Sequence, residues 1–451
     1  MKHLIFARNA QLSFIDQYAF AKTESEIPAT VKEIGKSAFD KSAVESVTFA
    51  PDSCLKRIED GAFAECRSLS SICFPSSLKC LGAKVFEKSS MNSISFMPNS
   101  SLKTIGKFSF EGCTLGTIDF PSSVEEIRTR AFAKLNAKRV VFPPDSKLRT
   151  IGMSAFNGCA LEAIEIPSSV EEIMHYAFAE SNVKRAVFSP DSKLKKIGGG
   201  AFKECTLESI NIPSSVEVIE AWAFGGLNAK RVVFSPDSKL RKIENVMFER
   251  CTVEAIEIPS SVEEIGNEAF ANSNVKSIVL SPDSKLKRIG DKAFERCTVE
   301  SIEIPSSVEE IGGLAFSRSN VNRIVFPSES KLKKIGYGAF LKCTLEAIEI
   351  PSSVEEIGDV AFANSNMKSF VFAPDSTLKR IGNRAFKKSA VETICIPSYV
   401  ETIGNSAFAD CTQLASVLFE PGSKLKRVSP DAFQGCNKVR IIEYPPDVKF
   451  E

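Results

Sequence analysis

Histidine is nearly missing from this chain: His3 and His175 are the two present in 451 residues. Two imidazoles exclude any histidine-based metal or acid–base centre repeated along the sequence. One tryptophan and five tyrosines leave few of the aromatic side chains that also carry a polar group. Charge of one sign is missing as well. Fifty-seven basic and 56 acidic residues give a net charge of +1, and such balance supplies no general attraction to nucleic acid or an anionic membrane. No apolar run reaches the roughly twenty residues that a membrane-spanning helix needs. The opening, MKHLIFARNAQLSFIDQYAF, has neither a long apolar stretch nor a small-residue cleavage site, so it does not read as a signal peptide. The phosphate-binding loops G-x-x-x-x-G-K-[ST] and strand–G-x-G-x-x-G–helix are missing, as is the G-x-S-x-G nucleophile elbow.

What is present is 43% hydrophobic and 25% charged residues, the balance of a folded chain, and one residue type used out of proportion. There are 34 phenylalanines. Most sit in an Ala-Phe doublet or a close variant: Phe20, Phe39, Phe63, Phe86, Phe110, Phe132, Phe156, Phe178 and onward to Phe408 and Phe433. Prolines keep the same beat, from Pro121, Pro144 and Pro167 to Pro305. A period of roughly 23 residues belongs to stacked repeat architectures and overrides the two or three globular domains that length alone suggests. The opening fits the pattern too: LIFARNAQLSFIDQYAF runs parallel to VVFSPDSKLRKIENVMF. The expectation is one continuous solenoid over 1–451 with about nineteen coils, regular over 100–433, looser over 1–99, with partial coils at both ends. Terminal coils of a solenoid normally need capping, so either the caps are minimal or these ends belong to something longer.

Two unit types alternate, which makes the true period 46. IPSSVEEIGNEAFANSNVKSIVL starts at Ile258, and SPDSKLKRIGDKAFERCTVESIE follows from Ser281. Each holds a short β-branched run, a Pro/Ser/Asp turn signal, a second short run (VEEIG or LKRIG) and the Ala-Phe segment, read as a single turn of helix. In Val299-Glu300-Ser301-Ile302-Glu303-Ile304 the first, fourth and sixth residues are apolar and point inward. The second, third and fifth point outward. One coil cannot bury its own apolar side, whereas stacked coils bury a shared core with one Phe from each. The pattern L-x-x-I-x-I-P-S-S-V-E-E-I-G-x-x-A-F-x-x-C resembles the BspA-like leucine-rich repeats of bacterial and trichomonad surface proteins. That resemblance implies a right-handed leucine-rich-repeat stack with a parallel β-sheet on one face, short second strands and single helical turns on the other. It also implies adhesion or recognition at a cell surface or after secretion. The chain shows neither a signal nor an anchor, and a cytoplasmic location stays open beside that implication.

The alternation has a physical reading. Position 2 of the first strand runs Lys138, Glu162, Lys184, Glu208, Lys230, Glu254, Lys276, Glu300, and the second run alternates likewise, with Glu171 and Glu172 before Lys195 and Lys196. Identical coils would stack like charges about 5 Å apart; alternation makes neighbours opposite. Each exposed pair is worth about 0–1 kcal/mol. The ladder therefore serves register first, with a polyampholyte binding surface as the other reading.

Thirteen cysteines suggest disulfides until their spacing is considered. Cys113, Cys159, Cys205, Cys251, Cys297 and Cys343 recur every second coil, roughly 10 Å apart, beyond the reach of a disulfide. Ser181, Ser273, Ser319 and Ser365 fill the slot between them, so it reads as a slot for small buried side chains. Cys54, Cys66, Cys73 and Cys80 in the early coils leave room for one bridge. No C-x-x-C or histidine cluster points to zinc, and the column Asp145, Asp191, Asp237, Asp283, Asp375 reads as turn chemistry and not calcium. No metal and no cofactor is expected, and no nucleophile–base pair stands out from the repeat.

The candidate partner-binding residues lie on the outward sheet positions. Position 3 carries Arg139, Arg185, Arg231 and Arg323, with small residues such as Ala163, Ser209 and Ala347 between. Position 5 carries Val141, Val187, Val233, Val279, Val325 and Val371. Arginine with exposed apolar groups makes plausible anchors; β-branched residues also simply suit strands. Trp222, two residues before Phe224, reads either as a contact or as a packing variant. Two functions fit: a binding or adhesion module for a protein of host or matrix origin (a glycan fits less well), or a structural spacer that associates end to end through exposed strand edges. Neither involves nucleic acid or membrane insertion.

Overall fold

The computed structural model describes residues 3–4, 13–16, 24–440, 442–446 and 448–450. The coil read around Phe20, and most of the opening run assigned to it, lie outside the described residues. The chain forms two compact units, Met1–Ala229 and Lys230–Glu451, and each is a stack of coils of one design.

The coil over 161–183 shows that design. Leu161, Ile164, Ile166, Val170, Ile173, Ala177, Phe178 and Val183 are all buried, because alternation in the strand Ala163–Ile166 turns every second side chain inward. Pro167 ends that strand, and its carbonyl accepts from Val170 N–H at 3.1 Å to close the turn. Ser169 Oγ reaches back and donates to the Leu148 carbonyl of the preceding coil at 2.8 Å. Ser123, Ser261 and Ser353 make the same contact, which accounts for the repeated Pro-Ser-Ser. The short second strand Glu172–Ile173 follows. In the first unit ten such second strands, from Phe14–Ile15 to Val218–Ile219, pair in parallel; in the second unit ten more run from Lys242–Ile243 to Lys449–Phe450.

The Ala-Phe segment corrects the sequence reading. Among the described residues there is no helix. Around Phe178 the N–H groups of Ala177, Ala179 and Ser181 donate within the coil to the carbonyls three residues back, at 3.1 to 3.3 Å. Those of Tyr176, Phe178 and Glu180 donate to Gly199, Ala201 and Lys203 of the next coil at 2.8 to 3.0 Å. A helical turn would spend every donor inside the coil; this run gives every second donor to its neighbour and so adds a third ladder to the stack. Its cost is a left-handed residue on each side of the Phe: Tyr176 and Glu180 at φ 56 and 58, Ser37 and Lys41, Lys292 and Arg296, Val360 and Asn364. The strands donate backward along the stack (Glu162 N to Lys138 O, 3.0 Å), whereas the turn run donates forward.

A β-branched residue is the poorest fit to a left-handed backbone, and Val360 holds φ 52. Replacing it by glycine, as Gly338 occupies the same slot one coil earlier, is expected to stabilise the protein by about 1 kcal/mol, the relief of left-handed strain less glycine's entropy. A higher urea midpoint with unchanged slope would verify this; a lower midpoint would show that Val360's packing outweighs its backbone strain.

The phenylalanines form columns inside the stack. In the first unit Phe110 and Phe132 have ring centroids 5.1 Å apart with planes 2° from parallel, and Phe132, Phe156 and Phe178 continue at 5.5 Å. In the second, Phe270, Phe294, Phe316 and Phe340 stack at 4.9 to 5.4 Å. Such separations are those of offset-stacked rings.

Candidate binding face

The sheet places the outward residues in register. Arg139 lies beside Ala163, Ala163 beside Arg185, and Arg185 beside Ser209. In the second unit Ser301 lies beside Arg323 and Ala347 beside Ser369. The fifth positions pair Glu165 with Val187, Glu257 with Val279, Glu303 with Val325 and Glu349 with Val371. Basic and apolar rows thus alternate with acidic and small ones. Arg139, Arg185, Arg231 and Arg323 are exposed. So are Val187, Val233, Val279 and Val371, the last 50% exposed. Val141 and Val325 are half-buried and differ in this from the other four.

The same charge alternation has different consequences on two sides of the coil. On the second strands the charges meet. Lys196 Nζ lies 2.8 Å from Glu220 and 3.4 Å from Glu172, one coil to either side. Arg288 bridges Glu264 and Glu310 at 3.3 and 3.4 Å, and Arg380 reaches Glu356 at 2.6 Å. The hydrogen bond to Glu220 raises the Lys196 ammonium above its ordinary range. On the sheet, among the described residues, neither the position-2 lysines and glutamates nor the four candidate arginines makes an ion pair. The register ladder expected from the sequence therefore closes on the second strands alone.

In the second unit the sheet face opens into a concavity of about 690 Å³ over Arg323, Ala347 and Val371, with Asn322, Glu346 and Glu349 around it. Short Ala347 leaves the space; the charged groups border it. This is an open recess on a surface and not an enclosed pocket for a small molecule.

The remaining sequence candidates fall into structural roles. Cys66, Cys113, Cys159, Cys205, Cys251, Cys297 and Cys343 are buried. Cys159 Sγ donates to the Phe132 carbonyl at 3.0 Å and Cys205 Sγ to that of Phe178 at 3.0 Å. Burial pushes the Cys113 and Cys159 thiols up to about 12, which leaves them unreactive. The intervening serines bond to the same carbonyls, as Ser319 does to Phe316 at 2.8 Å. Cys54, Cys73 and Cys80 are free thiols, exposed or half-buried. Ser189 Oγ donates to Asp191 at 2.5 Å and lowers that carboxyl below the usual range, the turn chemistry expected. No group of three His, Cys, Asp or Glu among the described residues could hold a metal. His175 is exposed, with Nδ1 3.0 Å from Gly199 N. Trp222 is half-buried at φ 64 with Lys203 Nζ 5.7 Å from its ring, a packing variant of the left-handed slot.

The sequence reading missed two features of this surface. Leu418, 58% exposed, continues the position-5 column beside Cys395; the run Ser416–Phe419 carried that signal. Asn245, Asn267 and Asp291 form a side-chain ladder in which each Oδ1 accepts the next coil's backbone N–H at 2.7 to 2.9 Å. The recurrence of Asn or Asp two residues after the second-strand Ile could have revealed it.

Comparison with known proteins agrees with this geometry. The family model described as BspA type leucine rich repeat region matches residues 2–113, 103–230, 241–368 and 333–450. No curated protein matches. Among solved structures, a leucine-rich repeat protein from Bacteroides ovatus is 25% identical, with 79% of this chain and 87% of that one covered and a TM-score of 0.52. The pneumococcal vaccine antigen PcpA is 19% identical over 78% and 80%, at a TM-score of 0.37. A leucine rich cell surface protein from Faecalibacterium prausnitzii is 20% identical over 91% and 83%, at 0.33.

Proposed function

The chain belongs to the BspA-type leucine-rich-repeat family, and from that premise we propose that it is a protein-binding module of the adhesion kind that meets a host or matrix protein with its exposed sheet face. One observation carries the reading. Charges of the same alternating pattern are paired within the chain on the second strands and left unpaired on the sheet. Unpaired arginines beside exposed valines supply the mixture of charge-assisted hydrogen bonding and apolar burial found at binding hot spots. Alternating rows of opposite sign favour a partner with charges of both signs and disfavour a uniformly charged polymer. The recess over Ala347 gives one partner side chain a place to enter between Arg323 and Val371. We read the role as binding and not catalysis, since His175 is engaged with the Gly199 N–H in a turn and the cysteines that recur every second coil are buried in the core.

The test is capture from host-cell and matrix extracts on the immobilised chain, with the retained protein identified. The comparison is a variant with Arg139, Arg185, Arg231 and Arg323 changed to serine. A second variant, with the exposed turn lysines Lys147, Lys193, Lys239 and Lys285 changed to serine, removes the same charge elsewhere. We expect the arginine variant to lose the partner and the lysine variant to keep it. We also expect capture to weaken at about 1 M salt, where the screening length falls to about 3 Å. Equal capture by all three would place recognition away from the sheet.

A further inference from the structure

The buried column three residues after each stacked Phe holds Cys, Ser or Leu, and its cysteines are kept apart with one exception. Cys66 is followed by Ser89, Cys205 by Leu227, Cys297 by Ser319 and Cys343 by Ser365. Cys411 and Cys436 instead occupy the slot in consecutive coils, three residues after Phe408 and Phe433. Those two rings stack with centroids 5.0 Å apart and planes 1° from parallel, so the coils are in register at this point. Both thiols are buried. Cys411 Sγ lies 3.0 Å from the Phe386 carbonyl and Cys436 Sγ 3.1 Å from that of Phe408. Each therefore takes the same position in its own coil, and the pair is set one coil apart. Coils about 5 Å apart bring equivalent Cα atoms inside the window that a disulfide needs, a condition the cysteines of alternate coils do not meet.

We propose that Cys411 and Cys436 are a disulfide-forming pair, a covalent staple between adjacent coils that closes when the protein meets a small-molecule disulfide. The chemistry balances as thiol–disulfide exchange. Cys436, 8% exposed against 0% for Cys411, is the more accessible thiol. As thiolate it attacks one sulfur of oxidised glutathione and expels one reduced glutathione, leaving a mixed disulfide. Cys411, its sulfur 3.4 Å from Ser389 Oγ, then displaces the second glutathione. Two protein thiols lose two electrons and two protons, and the reagent becomes two thiols. The Cys436 thiol is pushed well above its ordinary range by neighbouring Cys411 and by burial, so its attack is the slow step of the exchange. In a reducing compartment the pair stays open; in an oxidising one it closes. The rest of the column stays reduced in both, since its members have no neighbour to bridge to.

The purified full chain, folded, is treated with oxidised glutathione, then alkylated, digested without reduction and mapped by mass spectrometry. The expected product is a cross-link between the peptides carrying Cys411 and Cys436, with an intact mass lower by two hydrogens. Cys113, Cys159, Cys205, Cys251, Cys297 and Cys343 should all remain alkylatable after unfolding. In C436S the cross-link must vanish. In C395S, which removes the exposed thiol on the same peptide as Cys411, it must persist. A bridge from Cys436 to Cys395, or recovery of both Cys411 and Cys436 as free thiols after prolonged treatment, would overturn the proposal.

Discussion

Truncating Phe294 to alanine should cost about 3–5 kcal/mol, the largest single effect expected from any side chain in the second unit. The ring is fully buried and lies between Phe270 at 5.3 Å and Phe316 at 4.9 Å, so its removal opens a cavity shared by three coils. In a stack each coil is stabilised almost entirely by its two neighbours, and the loss falls on both contacts at once. The backbone cannot collapse to fill the space, because Phe294 N–H is tied to the Ala315 carbonyl at 2.7 Å and Phe270 N–H to that of Ala293 at 2.8 Å. Urea unfolding of the full chain, followed by circular dichroism, measures the effect. A substantially lower midpoint is expected, with a reduced slope if the stack now unfolds in two steps on either side of the damaged coil. Phe294→Leu should cost clearly less, because it keeps most of the volume, and Tyr337→Ala, at a side chain 59% exposed, should cost little. Equal midpoints for Phe294→Ala and Tyr337→Ala would show that the Phe column does not carry the core.

Most of the fold was legible because the repeat states each rule many times over. Ile164 and Ile166 alternate with outward residues as a strand requires, and the Phe of the doublet had one buried place to go in each described coil from Phe39 to Phe408. The Ala-Phe segment was not legible in the same way. Helix and left-handed turn run share the same short apolar signature, and the residues at φ near +55 are mostly lysine, arginine, glutamate and serine, which give no local warning. The glycines that appear at the same two slots, Gly61, Gly112, Gly158 and Gly200, were the readable hint: a slot that accepts glycine in several coils is one where backbone conformation matters more than side chain. On the candidate face, the sequence placed Arg185, Val187 and Ala163 in their correct columns. It could not separate paired from unpaired charges, since Lys184 and Lys196 follow the same alternation. Only geometry distinguishes a strand whose long side chains lean together from one whose side chains stand apart.

That difference bears on why the two charge ladders persist in one repeat. A second strand of two residues contributes little backbone pairing of its own, as at Glu172–Ile173. Contacts such as Lys196 between Glu172 and Glu220 help to hold it in register, although each is worth about 0–1 kcal/mol at such exposure. The longer first strands need no such help, and their position-2 charges stand without an ion pair among the described residues.

The glycine after the second strand sets the closest approach between coils, and Gly106→Ala is expected to cost about 3 kcal/mol, combining overpacking with a strained or lost ladder hydrogen bond. A Cβ at residue 106 would stand 2.0 Å from the Gly82 carbonyl oxygen, 2.3 Å from its carbon and 2.7 Å from the Leu81 oxygen. All three are backbone atoms, so no rotamer change relieves the contact. The strand cannot slide either, since Thr104 and Ile105 pair with Cys80 and Leu81 on one side and with Glu126 and Ile127 on the other. Two other glycines separate this cause from the alternatives. Gly61 has φ +65, and its nearest heavy atom is Ser37 Oγ at 3.3 Å, a tight contact that a turn of the serine side chain relieves. Gly61→Ala should therefore cost about 1 kcal/mol, the left-handed strain alone. Gly116 has nothing within 4 Å and no positive φ, and Gly116→Ala should stay within about 0.5 kcal/mol of the parent. Chemical unfolding of the three variants should rank them in that order. If Gly61→Ala proved as damaging as Gly106→Ala, backbone conformation and not coil-to-coil distance would be what glycine supplies to this stack. If Gly106→Ala were harmless, the coil must be able to adopt the path taken where Arg128 and Met174 fill the same slot, and the spacing of the stack would be softer than its ladders imply.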